Sequence, residues 1–241
     1  VAQCFYACST QNLIKAAEVL GNTADVNFYQ LLLAKINEAF LKEYVTASGK
    51  LVSGTQTAYV LALNFDLLPE NLRPQAAKRL VQNIRAYDTH LTTGFLGTPY
   101  LCQVLSRFGY SDVAYELLLQ KSYPSWLYPV TMGATTIWER WDGIRPDGSF
   151  QTPTMNSFNH YAYGAIGDWM YREIAGIDTD EKNPGYKVIR IKPRIEKGLT
   201  HARAELETYY GKIVSAWEKK DGKLILKVEI PANTSATIKL P

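Results

Sequence analysis

The densest run of chemistry-bearing residues lies between Tyr128 and Gly148 and centres on one carboxylate, Glu139, set between Trp138 and Trp141 and beside Arg140. Apolar walls favour a neutral carboxyl and an adjacent guanidinium favours the charged one, so a glutamate in such company can be tuned for proton transfer. Asp142 follows, and the small residues Gly133 and Ala134 precede it. The same string fits packing plus an ion pair, and spacing alone leaves both readings open. A second cluster, Asn156, Ser157, Asn159 and His160, precedes a run in which Ala162, Gly164, Ala165 and Gly167 are small. This pattern predicts a helix from about Ser157 to Ala175 with His160 in its first turn, where backbone N–H groups point outward unpaired. An imidazole there can donate to a sugar hydroxyl or orient a carboxylate. A lone histidine at a helix start usually does neither, and the polar neighbours are what single this one out.

Two long segments, 89–98 and 121–156, hold these residues or their surroundings, and both are rich in Gly, Pro, Thr and aromatic side chains. Segments of that length and composition inside a compact domain are usually functional rather than disordered. Thr93 belongs to the first of them. The elements around them read as amphipathic helices with short connections, apolar residues recurring every three or four positions. In Asp25 to Tyr44 the residues Phe28, Leu31, Leu32, Ile36, Ala39 and Phe40 share a face. Further helices are predicted over Thr55 to Leu68, Asn71 to Asp88, Pro99 to Phe108 and Ser111 to Gln120, each with a cap or a proline where a helix begins or stops.

After Gly185 the hydrophobic period changes from 3.6 to 2. Strands are predicted over 186–195, 202–209, 212–218, 223–230 and 235–240. Asp221-Gly222 between two alternating runs is a hairpin signal, because a type I′ turn needs positive φ at both central residues. The fold expected is multidomain, helical and then β: residues 1–177 as a helical domain and residues 186–241 as a small antiparallel β-sandwich, with the boundary in 178–185.

Composition bounds the partners. The chain has 241 residues with 26 basic and 23 acidic side chains, too even a balance for the sustained basic face that nucleic acid or an anionic membrane requires. The three cysteines are too few for a disulfide framework and lack zinc-site spacing, so they read as small buried apolar residues, and neither a metal nor an organic cofactor is expected. Polar residues interrupt the opening stretch well short of the ~20 apolar residues that span a bilayer, and a chain that starts at Val1 reads as beginning in mid-fold. The 16 tyrosines and 5 tryptophans suit sugar rings, though most could equally be core.

Three ordered strings, HLTTGFLGTPYL (90–101), GATTIWERWDG (133–143) and SFNHYAYGAIGDWMY (157–171), resemble the carboxy-terminal signatures of the bacterial α-L-rhamnosidases. The resemblance covers essentially the whole chain. It implies the later helices of an (α/α)6 toroid followed by a β-sandwich, and a rhamnose-containing oligosaccharide or glycoside as substrate; with a composition that reads as soluble, a bacterial periplasm or cytoplasm is expected and the residues do not choose between them. It implies that Glu139 is the general base of an inverting hydrolysis and that His160 contacts the sugar, with Trp138, Trp141, Asn159 and Thr93 as further substrate-binding candidates. The family's general acid lies upstream, in an Asp- and Glu-rich motif that this sequence does not contain. With seven or eight candidate helices where a closed ring needs twelve, the chain reads as a fragment carrying the base but not the acid.

Two other classes compete on the residues alone: a non-catalytic carbohydrate-binding module, and another α/α-toroid enzyme such as a different glycosidase or a polysaccharide lyase. A lyase needs uronate substrates, and a binding module keeps its sugar affinity when Glu139 is replaced; fold analogy separates neither.

Overall fold

The computed structural model describes residues 1–241 apart from Pro153, Met155 and Pro241. The chain forms two compact units, Val1–Tyr110 with Tyr123–Ser125, and Ser111–Ser122 with Trp126–Pro241.

The first unit is helical: α1 (Ala2–Val19), α2 (Thr23–Tyr44), α3 (Gln56–Asn64), α4 (Arg73–Ala86) and α5 (Thr98–Arg107). On α1 the buried residues Cys4, Ala7, Thr10, Ile14 and Ala17 recur at three- and four-residue spacing, and this stripe packs against α2. Asn22 caps α2 by accepting from the Asp25 N–H at 3.2 Å, and Thr55 caps α3 by accepting from the Ala58 N–H at 3.3 Å. Pro74 and Pro99 sit in the first turns of α4 and α5, where a missing N–H costs nothing. The helix expected over Thr55 to Leu68 ends early, at Asn64. Asp66 adopts φ 56° there and its carboxylate meets Arg73 at 2.9 Å and Arg107 at 2.5 Å, so ion pairing from two later helices favours the turn. The stripe expected along α2 is only partly covered: Ile36 and Phe40 are buried, while Phe28 and Leu31 are 62% and 67% exposed. Periodicity defines a face but does not supply its partner.

The second unit opens with α6 (Ser111–Leu119) and α7 (Leu127–Thr131). A long irregular segment leads to a helical stretch that changes pitch twice, from a 3₁₀ turn (Ala162–Ala165) through α8 (Ile166–Trp169) to a π turn (Met170–Ile174). The helix expected from Ser157 therefore begins at Ala162, which places His160 before it rather than in its first turn. The reason is tertiary. Backbone groups of Ser157 and His160 are committed to residues 137 and 139, which holds this segment out of the helix.

Gly176 ends the helical stretch at φ 80°, and a Cβ there would fall 2.2 Å from the backbone nitrogen of Pro193, so only glycine fits. Among the described residues six strands follow: β1 (Ile177–Thr179), β2 (Val188–Ile191), β3 (His201–Thr208), β4 (Gly211–Lys220), β5 (Lys223–Glu229) and β6 (Ser235–Ile238). They make two three-stranded sheets, β1-β2-β6 and β3-β4-β5. β2 and β6 run parallel, whereas the other pairs are antiparallel. β1 begins at Ile177, the last residue expected in the helical domain, and runs into the stretch 178–185 expected to be a boundary; it is short enough that its alternation escapes a sequence window. The β4–β5 hairpin turns at Asp221 (φ 51°) and Gly222 (φ 72°) with Lys220 opposite Lys223, the type I′ geometry that the dipeptide predicts. Ile177, Ile189 and Ile191 of one sheet meet Ile213 of the other in a buried cluster, with Leu206 and Val228 against it, so the two sheets enclose one core.

The helical end and the sheets are joined by hydrogen bonds. Ser215 donates to the Ala175 carbonyl at 2.6 Å and the Trp217 indole donates to the Ile174 carbonyl at 2.7 Å. The Lys192 N–H donates to the Gly176 carbonyl at 2.9 Å. These are the last carbonyls of the helical stretch, which a helix leaves without partners of its own.

Candidate active site

The two clusters singled out by residue type lie side by side in the second unit. The Glu139 N–H donates to the Ser157 carbonyl and the His160 N–H donates to the Ile137 carbonyl, each at 2.8 Å. Thr136 donates through its hydroxyl to the Phe158 carbonyl. Residues 137–139 and 157–160 are thus two irregular stretches bonded to each other, which brings Glu139 and His160 onto neighbouring backbones although they are 21 positions apart.

Trp138 is buried, 4% exposed, with its ring edge-on to Phe158 at 5.2 Å. Glu139 is half-buried, and its Oε2 accepts from the Ser157 N–H at 2.8 Å. One oxygen of the carboxylate is therefore held by a fixed backbone dipole. Arg140 lies 3.9 Å from Asp142, so the ion pair suggested by the sequence forms with that neighbour.

Trp141 takes a different position. It is half-buried and stacks on Tyr163 at 3.8 Å with an interplanar angle of 15°, while Trp126 packs edge-on against it at 5.6 Å. Trp126 also donates its indole N–H to the Tyr163 carbonyl at 3.0 Å. Trp141 is consequently the tryptophan of the pair with ring surface accessible, and Trp138 is an anchor. His160 is half-buried with its ring parallel to that of the exposed Tyr161. Asn159 is exposed, its N–H donating to the Ser157 hydroxyl at 3.2 Å. Thr93 belongs to the first unit, where it is 3% exposed and its hydroxyl lies 2.8 Å from that of Thr98. That bond closes the turn preceding α5, and the hydroxyl is used inside the fold.

Residues to which the sequence reading gave no role of their own shape this site. Tyr163 and Trp126 build the aromatic stack; both look like helix or loop core in the sequence. Asn156 donates from Nδ2 to the Gly143 carbonyl at 2.8 Å, joining the end of the Trp-Glu-Arg-Trp string to the start of the second cluster. Tyr128 donates to the Ile144 carbonyl at 2.9 Å, and Ile144 and Phe150 form an isolated antiparallel bridge. At the turn of that small hairpin the Ser149 hydroxyl and N–H bind Asp147 and hold its carboxyl below the usual range. Among the described residues no group of three or more His, Cys, Asp or Glu side chains is placed to hold a metal ion.

Successive helices followed by a two-sheet β region, with a half-buried glutamate in the segment between α7 and α8, are the architecture that family models of a helical-hairpin glycosidase domain and its C-terminal domain match. Residues 1–174 match the bacterial alpha-L-rhamnosidase 6 hairpin glycosidase domain, and residues 176–241 match the bacterial alpha-L-rhamnosidase C-terminal domain. The chain belongs to the bacterial α-L-rhamnosidase family. It is 46% identical over its whole length to an alpha-L-rhamnosidase of Streptomyces avermitilis and 45% identical to one of Formosa agariphila, spanning 23% and 26% of those proteins. The crystal structure of the S. avermitilis alpha-L-rhamnosidase complexed with L-rhamnose superposes with a TM-score of 0.93 at 47% identity, over 99% of this chain and 23% of that one. The native Aspergillus terreus enzyme gives 0.95 at 38% identity, over 99% and 28%. This chain thus spans about a quarter of the length of its relatives.

Proposed function

We propose that this chain supplies the general-base half of an active site that removes terminal α-L-rhamnosyl residues from glycosides with inversion, within a longer catalytic protein. The observation that carries the reading is the setting of Glu139: half-exposed, anchored by the buried Trp138, with one oxygen fixed by the Ser157 N–H at 2.8 Å. A base that must take a proton from water needs one oxygen held and the other available, and this carboxylate is arranged that way. Kinship with alpha-L-rhamnosidases, one of them solved with L-rhamnose, supplies the sugar.

In this reading Glu139 deprotonates a water that attacks the anomeric carbon from the face opposite the departing oxygen. The O–C bond to water forms as the glycosidic C–O bond breaks. A carboxylic acid about 6.5–9.5 Å across the ring protonates the leaving oxygen. That acid belongs to the upstream part of the protein. His160 hydrogen-bonds a rhamnose hydroxyl, the exposed Asn159 offers a second polar contact, and Trp141, braced by Tyr163, presents an aromatic face to the apolar side of the sugar. Thr93 acts by setting the turn before α5 rather than by touching sugar.

The test is an aryl α-L-rhamnoside assay in the full-length protein with Glu139→Ala. Turnover should fall by at least about 10²-fold, within the range ascribed to general-base catalysis. Azide needs no deprotonation, so it should restore release of the aryl group and yield the β-configured rhamnosyl azide. Retained hydrolysis in Glu139→Ala, or an azide product of unchanged configuration, would refute the assignment.

A further inference from the structure

The base is held by a bond that its own side chain does not make. Asn156 donates from Nδ2 to the Gly143 carbonyl at 2.8 Å, while its Oδ1 is buried and has no hydrogen-bond partner among the described residues. A buried amide oxygen without a partner costs free energy, so this amide is held by what its other end achieves. Gly143 completes the contact. Its φ is not in the left-handed region, so nothing in its backbone requires glycine; the requirement is room. A Cβ on Gly143 would lie 2.9 Å from Asn156 Oδ1, 3.0 Å from Phe158 and 3.1 Å from Trp138. These three contacts are the inner faces of the two stretches that carry Glu139 and His160.

We propose that Asn156 and Gly143 form a latch that positions Glu139 for catalysis; the proposal rests on the reading of Glu139 as the base. The stretch 138–143 is tied to 156–160 at one end by the Glu139–Ser157 and His160–Ile137 backbone bonds and at the other by Asn156 on Gly143. With one end free, the segment pivots about the remaining bonds. The Ser157 N–H that orients the carboxylate follows Asn156 directly in the chain, so release of Asn156 shifts the donor as well. Asn156 is a positioning residue: it acts through Glu139 and makes no contact with the reacting atoms.

The experiment measures Asn156→Ala and Gly143→Ala in the full-length protein for kcat and KM on an aryl α-L-rhamnoside, L-rhamnose affinity by calorimetry, Tm, and azide rescue. The expected result is a kcat lower by about 10–100-fold, the scale on which misplacing a reacting group by about 1 Å is felt, with L-rhamnose affinity within about twofold of the parent. Azide should recover most of the loss, because a nucleophile that needs no base bypasses a misplaced base. In a Glu139→Ala background, Asn156→Ala should then cost nothing further. Unchanged kcat in both variants would overturn the latch, and so would a kcat loss that azide does not relieve. Failure of both variants to fold would also overturn it, by making these residues part of folding rather than of positioning. The outcomes are separable from the fate of the base itself: an active Glu139→Ala defeats the base assignment, whereas an inactive, azide-rescued Glu139→Ala beside a fully active Asn156→Ala defeats the latch alone.

Discussion

At the scale of single residues, burial decides which side chains can act. Trp138 and Trp141 are three positions apart in one string, yet one is 4% exposed and the other is half-buried on a stacked tyrosine. Replacing Trp141 by alanine should raise KM for an aryl α-L-rhamnoside about 3–10-fold with a smaller change in kcat, since a stacking wall contributes roughly 1 kcal/mol to ground and transition state alike; an unchanged KM would remove it from the sugar site. Cysteine chemistry follows the same logic. Burial pushes the Cys102 thiol far above its ordinary range and raises that of Cys4 as well. A group whose pKa is higher folded than unfolded adds stability that is complete below the unfolded value and is lost as pH rises toward the folded one. The unfolded thiol ionises near about 8.5, so Tm should fall as pH rises above that value, and Cys102→Ala should flatten the slope. A Tm independent of pH between 8 and 10.5 in the parent would contradict this, as would Cys102 reacting with a thiol reagent in the native protein at pH 8.

At the scale of elements, local signals work where the chain satisfies its own backbone and fail where another segment does it. The hairpin at Asp221-Gly222 is local: positive φ at two consecutive positions is a requirement that the dipeptide meets by itself. Gly222→Ala should cost about 1 kcal/mol in chemical denaturation, the typical penalty for forcing a side chain into that region, and no loss at all would show that the turn relaxes. Thr55→Ala should cost a similar ~1 kcal/mol through loss of the α3 cap. The start of the last helix is the opposite case. Ser157, Asn159 and the small residues after them look like a capped helix, but the Ser157 and His160 backbone groups bond to residues 139 and 137. No window around Ser157 contains that partner, so the helix begins at Ala162 instead.

At the scale of the whole molecule, the second compact unit holds both the end of the segment matched by the helical family model and all of the segment matched by the C-terminal one, joined by the bonds from Ser215 and Trp217 to the Ala175 and Ile174 carbonyls. Both donors are buried, so removing one leaves a carbonyl without its partner. Trp217→Phe, which removes the donor and leaves a small cavity where the indole was, should destabilise the chain by about 1–3 kcal/mol and lower Tm by a few degrees. A Tm equal to that of the parent would show that the helix end is satisfied in another way. The same scale governs activity. By our reading these 241 residues, a quarter of the length of the relatives, carry the base without the acid, so the chain alone should hydrolyse aryl α-L-rhamnosides only at trace rate. Full activity would place the acid within it.

The sequence by itself determined the class of the fold, the order of helices and then strands, the β4–β5 turn and the two strings that carry Glu139 and His160, because each rests on periodicity or on residues adjacent in the chain. Tertiary structure alone decided that those strings pair, that Trp138 turns inward while Trp141 stacks on Tyr163, that Thr93 spends its hydroxyl on Thr98, and that Asn156 grips Gly143. It also decided that β6 lies parallel to β2 and that β1, only three residues long, joins that sheet. Each of these depends on a hydrogen bond or a ring contact whose second member is remote in the chain or is chosen by burial. A polar or aromatic residue states what it can bond to; only the folded chain states which of the available groups reaches it.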